Sequence, residues 1–221
     1  MRHALIMIAS ALSFASAPFI AAPAATAAGH VHTMAAPATA SKLSATNAVL
    51  RDLWLGHVFW VRNVVTAALA KDDPARASAE AQVVANARAI AGAFEPFYGA
   101  NARDKLFKLL AGHYGAVKAY LNASIAKSES GQSEATSQLV ANAKTIADFL
   151  ASANPNLPAD TVNGLLQAHG GHHIAQIQEL LAHDYPAEAK TWADMTQHMY
   201  VISDALGGAL AKQFPDKFAS R

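Results

Sequence analysis

The sequence predicts an all-α protein: a helical bundle of six helices built from three repeated antiparallel helical hairpins. Three observations support this fold class. From about residue 44 to residue 218, apolar residues recur at three- and four-residue spacing, and no stretch alternates in the manner of a strand. Alanine, a strong helix former, supplies much of the apolar fraction. Finally, related segments recur at a constant offset of 56 residues.

Six helical segments follow from the positions of the helix breakers. The breakers are "KDDPA", "EPFYGAN", "SESGQ", "NPNLPAD" and "HDYPAE", each rich in proline, glycine or capping residues. The predicted helices are residues 46–70, 74–94, 102–127, 132–152, 158–182 and 186–213. Pro158 suits a first turn, where its missing N–H costs nothing. Short connections make consecutive helices antiparallel.

The repeat places a histidine at the same point of three helices. Residues 53–65 read "LWLGHVFWVRNVV", residues 109–121 "LLAGHYGAVKAYL" and residues 165–177 "LLQAHGGHHIAQI". The helices between them are also related, because "QVVANARAIA" and "QLVANAKTIA" agree at seven of ten positions. The same offset aligns Asn142 with His198. Duplicated hairpins fit both a bundle and a short solenoid-like stack, and we favour the bundle.

The N-terminal segment predicts export. A short basic start precedes a charge-free apolar run and the small-residue stretch "PAATAA", which is typical of a signal peptide covering residues 1–27. Residues 28–43 read as a disordered leader, and residues 44–218 as the helical-bundle domain. No later stretch is apolar and long enough to span a bilayer. We therefore expect a periplasmic protein without a transmembrane segment in its mature chain.

Composition excludes several classes of partner and site. The chain has no cysteine, so disulfides, thiolate metal sites and c-type haem attachment are excluded. Removal of residues 1–27 deletes one of 17 basic residues and none of the 16 acidic ones, leaving 16 of each. A formal balance of zero indicates that the partner is not a nucleic acid.

The repeated histidines lie on the apolar stripes of their helices and predict a transition-metal site. Neutral imidazoles in an apolar interior need a partner, and one shared ion would satisfy several of them. His169 is one helical turn from both His172 and His173, a spacing that lets two rings meet one ion. The predicted ligands are His57, His113, His169, His173 and His198. Further candidate ligands are His172, Met195, Met199 and His30, and Asp194 is placed to orient His198.

Ligand chemistry favours copper. Imidazole together with thioether suits copper, whereas imidazole alone suits zinc, copper or iron. Cleavage after residue 27 would also leave Ala28-Gly29-His30 as an N-terminal square-planar copper motif. Haem is a less favoured alternative, with histidine or methionine as axial ligands and glycines such as Gly56 and Gly112 leaving flat space. No "HExxH" or paired Glu-x-x-His motif is present.

Two other functions remain open. The histidines of a non-catalytic structural or interaction bundle would be core residues satisfied by their own neighbours. An enzyme ranks third, because no nucleophile–base pair or carboxylate pair stands out. A metal-binding bundle would serve carriage, buffering or sensing.

Several segments resemble small exported helical bacterial proteins of uncharacterised function. These are "LWLGHVFWVRNVV", "ANAKTIADFLASANPN" and the terminal "KQFPDKF", and the resemblance covers most of residues 49–218. Some of those proteins are labelled glycosyltransferase or acetylglutamate kinase, but this chain has no Gly-rich phosphate loop after a strand. The resemblance implies a helical fold and transfers no activity, ligand or site residue.

Overall fold

A computed structural model of the protein describes residues 42–219. Within this range every regular element is a helix, which confirms the all-α class. The helices are α1 (Lys42–Leu69), α2 (Asp73–Tyr98), α3 (Ala100–Ile125), α4 (Glu129–Ala153), α5 (Ala159–Leu181), α6 (Tyr185–Gln213) and α7 (Pro215–Phe218). The predicted signal peptide, His30 and nearly all of the predicted leader lie outside the described residues.

Two helix starts differ from the sequence prediction by three or four residues. Helix α1 starts at Lys42, inside the segment predicted as leader, and α4 starts at Glu129 rather than at residue 132. The earlier start of α4 follows from Ser128, whose side chain accepts a hydrogen bond from the Gly131 N–H and so caps the helix. The short helix α7 was not predicted.

The segment "EPFYGAN", predicted as a loop, is largely helical. Helix α2 continues through Pro96 to Tyr98, and only Gly99, with φ of 80°, separates it from α3. Aromatic packing holds this last turn, because the Phe97 ring lies 5.3 Å from Phe214 and 5.9 Å from Phe218. Tertiary contacts thus outweigh the helix-breaking tendency of proline, and glycine provides the reversal that a side chain would oppose.

The turns inside the three hairpins have the same geometry. Each contains a non-glycine residue in the left-handed region, namely Lys71, Lys127 and His183, with φ of 57°, 54° and 57°. The next residue donates its N–H to the carbonyl five positions earlier, at 2.9–3.0 Å. That same residue caps the following helix with its side chain: Asp72, Ser128 and Asp184. Each hairpin therefore reverses through a Schellman motif that leads directly into an N-cap.

The six long helices close into a ring. Each helix packs against the next one in the chain, and α6 packs against α1, as a bundle requires and an open stack does not. Helix α5 also contacts α1 and α3. These three odd-numbered helices therefore meet in the interior of the bundle.

None of the helices within residues 42–219 combines the length and apolar character needed to cross a bilayer.

The left-handed turn residues give a direct test of the hairpin geometry. We expect Lys127→Gly to raise the free energy of unfolding by about 0.5–1 kcal/mol, because glycine adopts a positive φ without the steric cost of a Cβ. Chemical denaturation would measure the change. Lys108→Gly, at an exposed position inside α3, is the matched control and should destabilise by about 1 kcal/mol. A loss of stability in both variants would contradict a strained turn at Lys127.

Candidate metal centre

Four buried histidines meet in the interior of the bundle. His57 comes from α1, His113 from α3, and His169 and His173 from consecutive turns of α5. One nitrogen from each ring lies within 4.8 Å of the corresponding nitrogen of every other ring. Their exposed fractions are 6%, 4%, 0% and 1%. We call this group the four-histidine centre.

The centre divides the apolar core into two parts. Along α1, Trp54 belongs to one apolar cluster and Val61 to the other, with His57 between them. Along α3, Leu110 and Val117 stand in the same relation to His113. Because both clusters are apolar, the imidazoles are surrounded by groups that offer them few hydrogen bonds.

Most nitrogens of the centre have no hydrogen-bond partner. The buried, unpartnered atoms are His57 Nε2, both nitrogens of His113, His169 Nδ1 and His173 Nδ1. The one bond inside the group joins the Nε2 atoms of His169 and His173 at 3.2 Å, and it can hold a single proton. An unsatisfied buried polar group costs roughly 1–3 kcal/mol. These five nitrogens have no hydrogen-bond partner among the protein groups of residues 42–219.

Burial keeps all four rings neutral. Loss of solvation lowers the pKa of His57 to about 3, with a further contribution from nearby His113. It lowers the pKa of His113 to about 4, an effect that the Asn142 side chain partly opposes. The pKa values of His169 and His173 lie well below 6.5 because of burial and, secondly, the neighbouring histidines. Neutral imidazole is the form that binds metal ions.

The arrangement of the rings is closer to tetrahedral than to square-planar. Bonds of about 2.0–2.1 Å would place ring centroids roughly 5.2 Å apart in a tetrahedral site. The six observed separations run from 4.4 to 6.3 Å. A square plane needs two long separations that share no ring, but the two longest, 6.2 and 6.3 Å, both involve His113. Tetrahedral ions therefore fit better than square-planar ones.

Two asparagines to which the sequence reasoning gave no role lie beside the centre. Asn142 donates from Nδ2 to the Leu109 carbonyl at 3.1 Å and acts with its side chain on His113. Asn86 makes the equivalent bond to the Leu53 carbonyl at 2.9 Å. The Oδ1 atoms of both are buried and unpartnered, so each offers an acceptor that could hold an imidazole N–H. The sequence signal for a shared role was that Asn86 and Asn142 lie 56 residues apart, at the same position of the repeat.

Glycine makes room for these amides. A Cβ at Gly56 would lie 3.0 Å from Asn86 Nδ2, and one at Gly112 would lie 3.1 Å from Asn142 Nδ2. The glycines next to His57 and His113 therefore allow close packing of the helices.

The structure separates His198 from the four-histidine centre. Its Nε2 lies 2.8 Å from the Leu165 carbonyl, the same bond that Asn86 and Asn142 make 33 residues back along the chain. Its ring pairs with His172, at a centroid separation of 5.5 Å. The fifth predicted ligand thus takes the place of an asparagine amide instead of joining the other four histidines.

The remaining candidates also lie outside the centre. Met195 and Met199 are fully buried in the apolar cluster that contains Trp54. Asp194 is exposed and pairs with Lys190 at 2.5 Å rather than holding His198. Among residues 42–219 the buried charged residue is Glu188, which accepts hydrogen bonds from Arg62 and Gln176. Because that carboxylate is already paired, it is not a free ligand.

No protein-family model, curated protein or solved structure matches the chain. What the centre binds is therefore inferred from its geometry and chemistry alone.

The lowered pKa values predict acid sensitivity of the metal-free protein. Below pH 6.5 the unfolded chain protonates these histidines, while folded His57 stays neutral down to about pH 3 and His113 to about pH 4. Stability should therefore fall as the pH drops from about 7 toward 4, by up to about 1.4 kcal/mol per pH unit for each histidine. Denaturant titrations at several pH values would measure the slope.

His57→Leu should reduce that slope by the contribution of one proton. The control Leu166→Ala removes buried apolar volume and should lower stability by about 2–5 kcal/mol at every pH without changing the slope. Equal slopes in wild type and His57→Leu would contradict a neutral buried His57.

Proposed function

We propose that the protein binds one transition-metal ion at the four-histidine centre and holds it for carriage or buffering. The observation that carries the proposal is the convergence of four neutral imidazole rings, five of whose nitrogens have no hydrogen-bond partner. One ion would take a lone pair from one nitrogen of each ring and so reduce the number of nitrogens left unsatisfied. Ordinary core histidines would each have an independent hydrogen-bond partner, whereas among the described residues such an effect is found for His113 alone, from Asn142.

We favour copper, as Cu(I), with Zn(II) as the alternative. Both ions accept a tetrahedral set of imidazoles, whereas the ring separations disfavour square-planar Cu(II). Four neutral ligands leave the whole charge of the ion in an apolar interior, which favours a monovalent ion over a divalent one. Met195 and Met199 do not join the centre, so the preference for copper depends on geometry and charge rather than on thioether ligands.

The closed geometry supports holding the ion rather than catalysis. Catalytic metal sites keep a coordination position open for water or substrate, whereas four protein ligands fill a tetrahedral site. The same crowding is unfavourable for haem. The rings lie 4.4–6.3 Å apart and fill the space between them, which leaves no flat gap for a macrocycle.

We also propose that the chain arose from three copies of one helical hairpin. The identical turns at Lys71, Lys127 and His183 support this origin. So do the three side-chain bonds to Leu53, Leu109 and Leu165, each spanning 33 residues. Triplication would deliver three histidines to one level of the bundle. His173, which stands where the other copies have Val61 and Val117, would then complete the fourth position.

The predicted signal peptide supports placing this activity in the periplasm, where the protein would meet ions outside the cytoplasm.

Replacing single ligands tests the proposed centre. His113→Leu and His173→Val should each weaken binding of Cu(I) or Zn(II) by at least ~100-fold, because a three-ligand site lacks one metal bond and is no longer closed. Valine is the residue that the other two hairpins carry at the position of His173. Competition with a chromophoric chelator would measure the affinity. Leu110→Ala, beside the centre but without a ligand atom, should change the affinity little.

The metal-free proteins give an independent readout. His113→Leu should raise the unfolding free energy of the apo form by about 1–3 kcal/mol, because two unpartnered nitrogens are replaced by an apolar group. The ion should stabilise wild type more than this variant, since it binds only the folded state. A variant that is less stable without metal yet binds it normally would contradict the proposal and favour a purely structural role for the histidine.

A further inference from the structure

His172 and His198 form a second histidine pair on the outer side of the α5–α6 hairpin. Both side chains are partly exposed, in contrast to the four buried rings. Their centroids lie 5.5 Å apart and their planes are inclined by 58°. Two imidazoles on one ion, with bonds of about 2.0–2.1 Å, would have centroids roughly 4.5–5.5 Å apart for bond angles between 90° and 120°. The pair is therefore spaced for joint ligation.

The hydrogen bond of His198 fixes which nitrogen is free. A backbone carbonyl can only accept, so the Nε2 that lies 2.8 Å from the Leu165 oxygen carries the proton. In the neutral ring Nδ1 is then an unprotonated donor available to a metal ion. Such a bond to a carbonyl is the usual way in which a protein orients a metal-binding histidine.

Two carboxylates lie next to the pair. Asp194 precedes His198 by one turn of α6, and both Asp194 and Glu179 act electrostatically on His172. Asp194 is bound only by Lys190, in an exposed pair whose side chains are 51% and 78% accessible, and such pairs are weak. Glu179 has one oxygen bonded to Thr191 and a buried Oε2 with no partner. Lys190 acts on His172 in the opposite sense to these two carboxylates.

The pair also adjoins the four-histidine centre. His172 is the neighbour of His173 in the chain, and His198 lies close enough to His169 to affect its charge. An ion bound between His172 and His198 would therefore be on the solvent side of the buried ligands.

We propose that His172 and His198 form a second, solvent-facing transition-metal site, at which an ion binds before it moves to the four-histidine centre. Two histidine ligands leave coordination positions for water, so this site exchanges its ion more readily than the closed interior. The loading role rests on the interior centre proposed above, whereas binding at the outer site does not depend on it.

The repeat supplies conservative variants for a test. In His198→Asn the new amide can donate to the Leu165 carbonyl, as Asn86 and Asn142 do in their hairpins. In His172→Ala the new residue matches Ala116 of the second hairpin. The double variant His172→Ala/His198→Asn should therefore fold, and melting of the metal-free protein would check it. His113→Leu/His173→Val is the interior counterpart.

Equilibrium dialysis against Zn²⁺, followed by elemental analysis, would count bound ions. Both double variants should bind one ion fewer than wild type. The difference in the number of bound ions between the proteins decides the outcome, because any ion bound by His30 and His32 of the N-terminal segment is counted in all three proteins. An outer variant that binds as many ions as wild type would overturn the second site. Loss of an ion in the outer variant alone would instead refute the interior centre and leave the outer site standing.

Stopped-flow transfer of Zn²⁺ from a chelating dye would test loading. Filling of the interior should be at least ~10-fold slower in His172→Ala/His198→Asn, with the final interior affinity unchanged, because only the route to that site is altered. A wild-type loading rate in this variant would overturn the role of the outer pair as the first binding site.

Discussion

The desolvation of four imidazoles at one level of the bundle is the constraint on which the rest of the structure depends. Apolar clusters lie on both sides of these rings, and five of their nitrogens have no hydrogen-bond partner. Such a layer weakens the core it interrupts unless something else binds the rings. The residues around the four rings are compatible with this layer. Glycines allow the helices to approach closely, and the Asn86 and Asn142 amides donate to backbone carbonyls of the neighbouring helices. A core selected for stability alone would place leucine at these positions.

Closure of the six helices into a ring is what makes the histidines meet. In an open stack, equivalent positions of successive hairpins would follow one another along the stack rather than converge. Here α6 returns to α1, and α5 contacts both α1 and α3, so residues at the same level of the odd-numbered helices face each other. A repeated residue thereby becomes a cluster. Because α5 carries histidines on two successive turns, the cluster gains a fourth donor that two of the hairpins lack.

The sequence was sufficient for the helical class and for naming the four histidines that the structure brings together, because both depend on periodicity. His57, His113 and His169 repeat in phase on apolar stripes, and His173 follows His169 by one turn. The prediction that His198 joins the other four histidines was wrong for a physical reason. His198 occupies the repeat position of an asparagine, and its Nε2 donates to a backbone carbonyl as the Asn142 amide does. The stripe pattern cannot distinguish a ring directed at the interior from one that bridges two helices.

Helix α2 passes through Pro96 because Phe97 packs on Phe214 and Phe218, contacts distant in sequence that no local pattern contains.

The difference between His173 and its counterparts Val61 and Val117 has a chemical consequence beyond the number of ligands. Three histidines around a metal ion leave one position open, the arrangement of catalytic zinc sites in which water is activated. A fourth imidazole fills that position and removes the water. A tetrahedral ion held by all four rings would therefore have no position left for a reactive water, as retention of the ion requires and hydrolysis does not. The partly exposed pair His172 and His198 lies on the same helical hairpin and, as the proposed outer site, would have the opposite properties: fewer protein ligands, nearby carboxylates and access to water. One hairpin would thus contain both a site suited to capture and a residue that closes the site suited to retention.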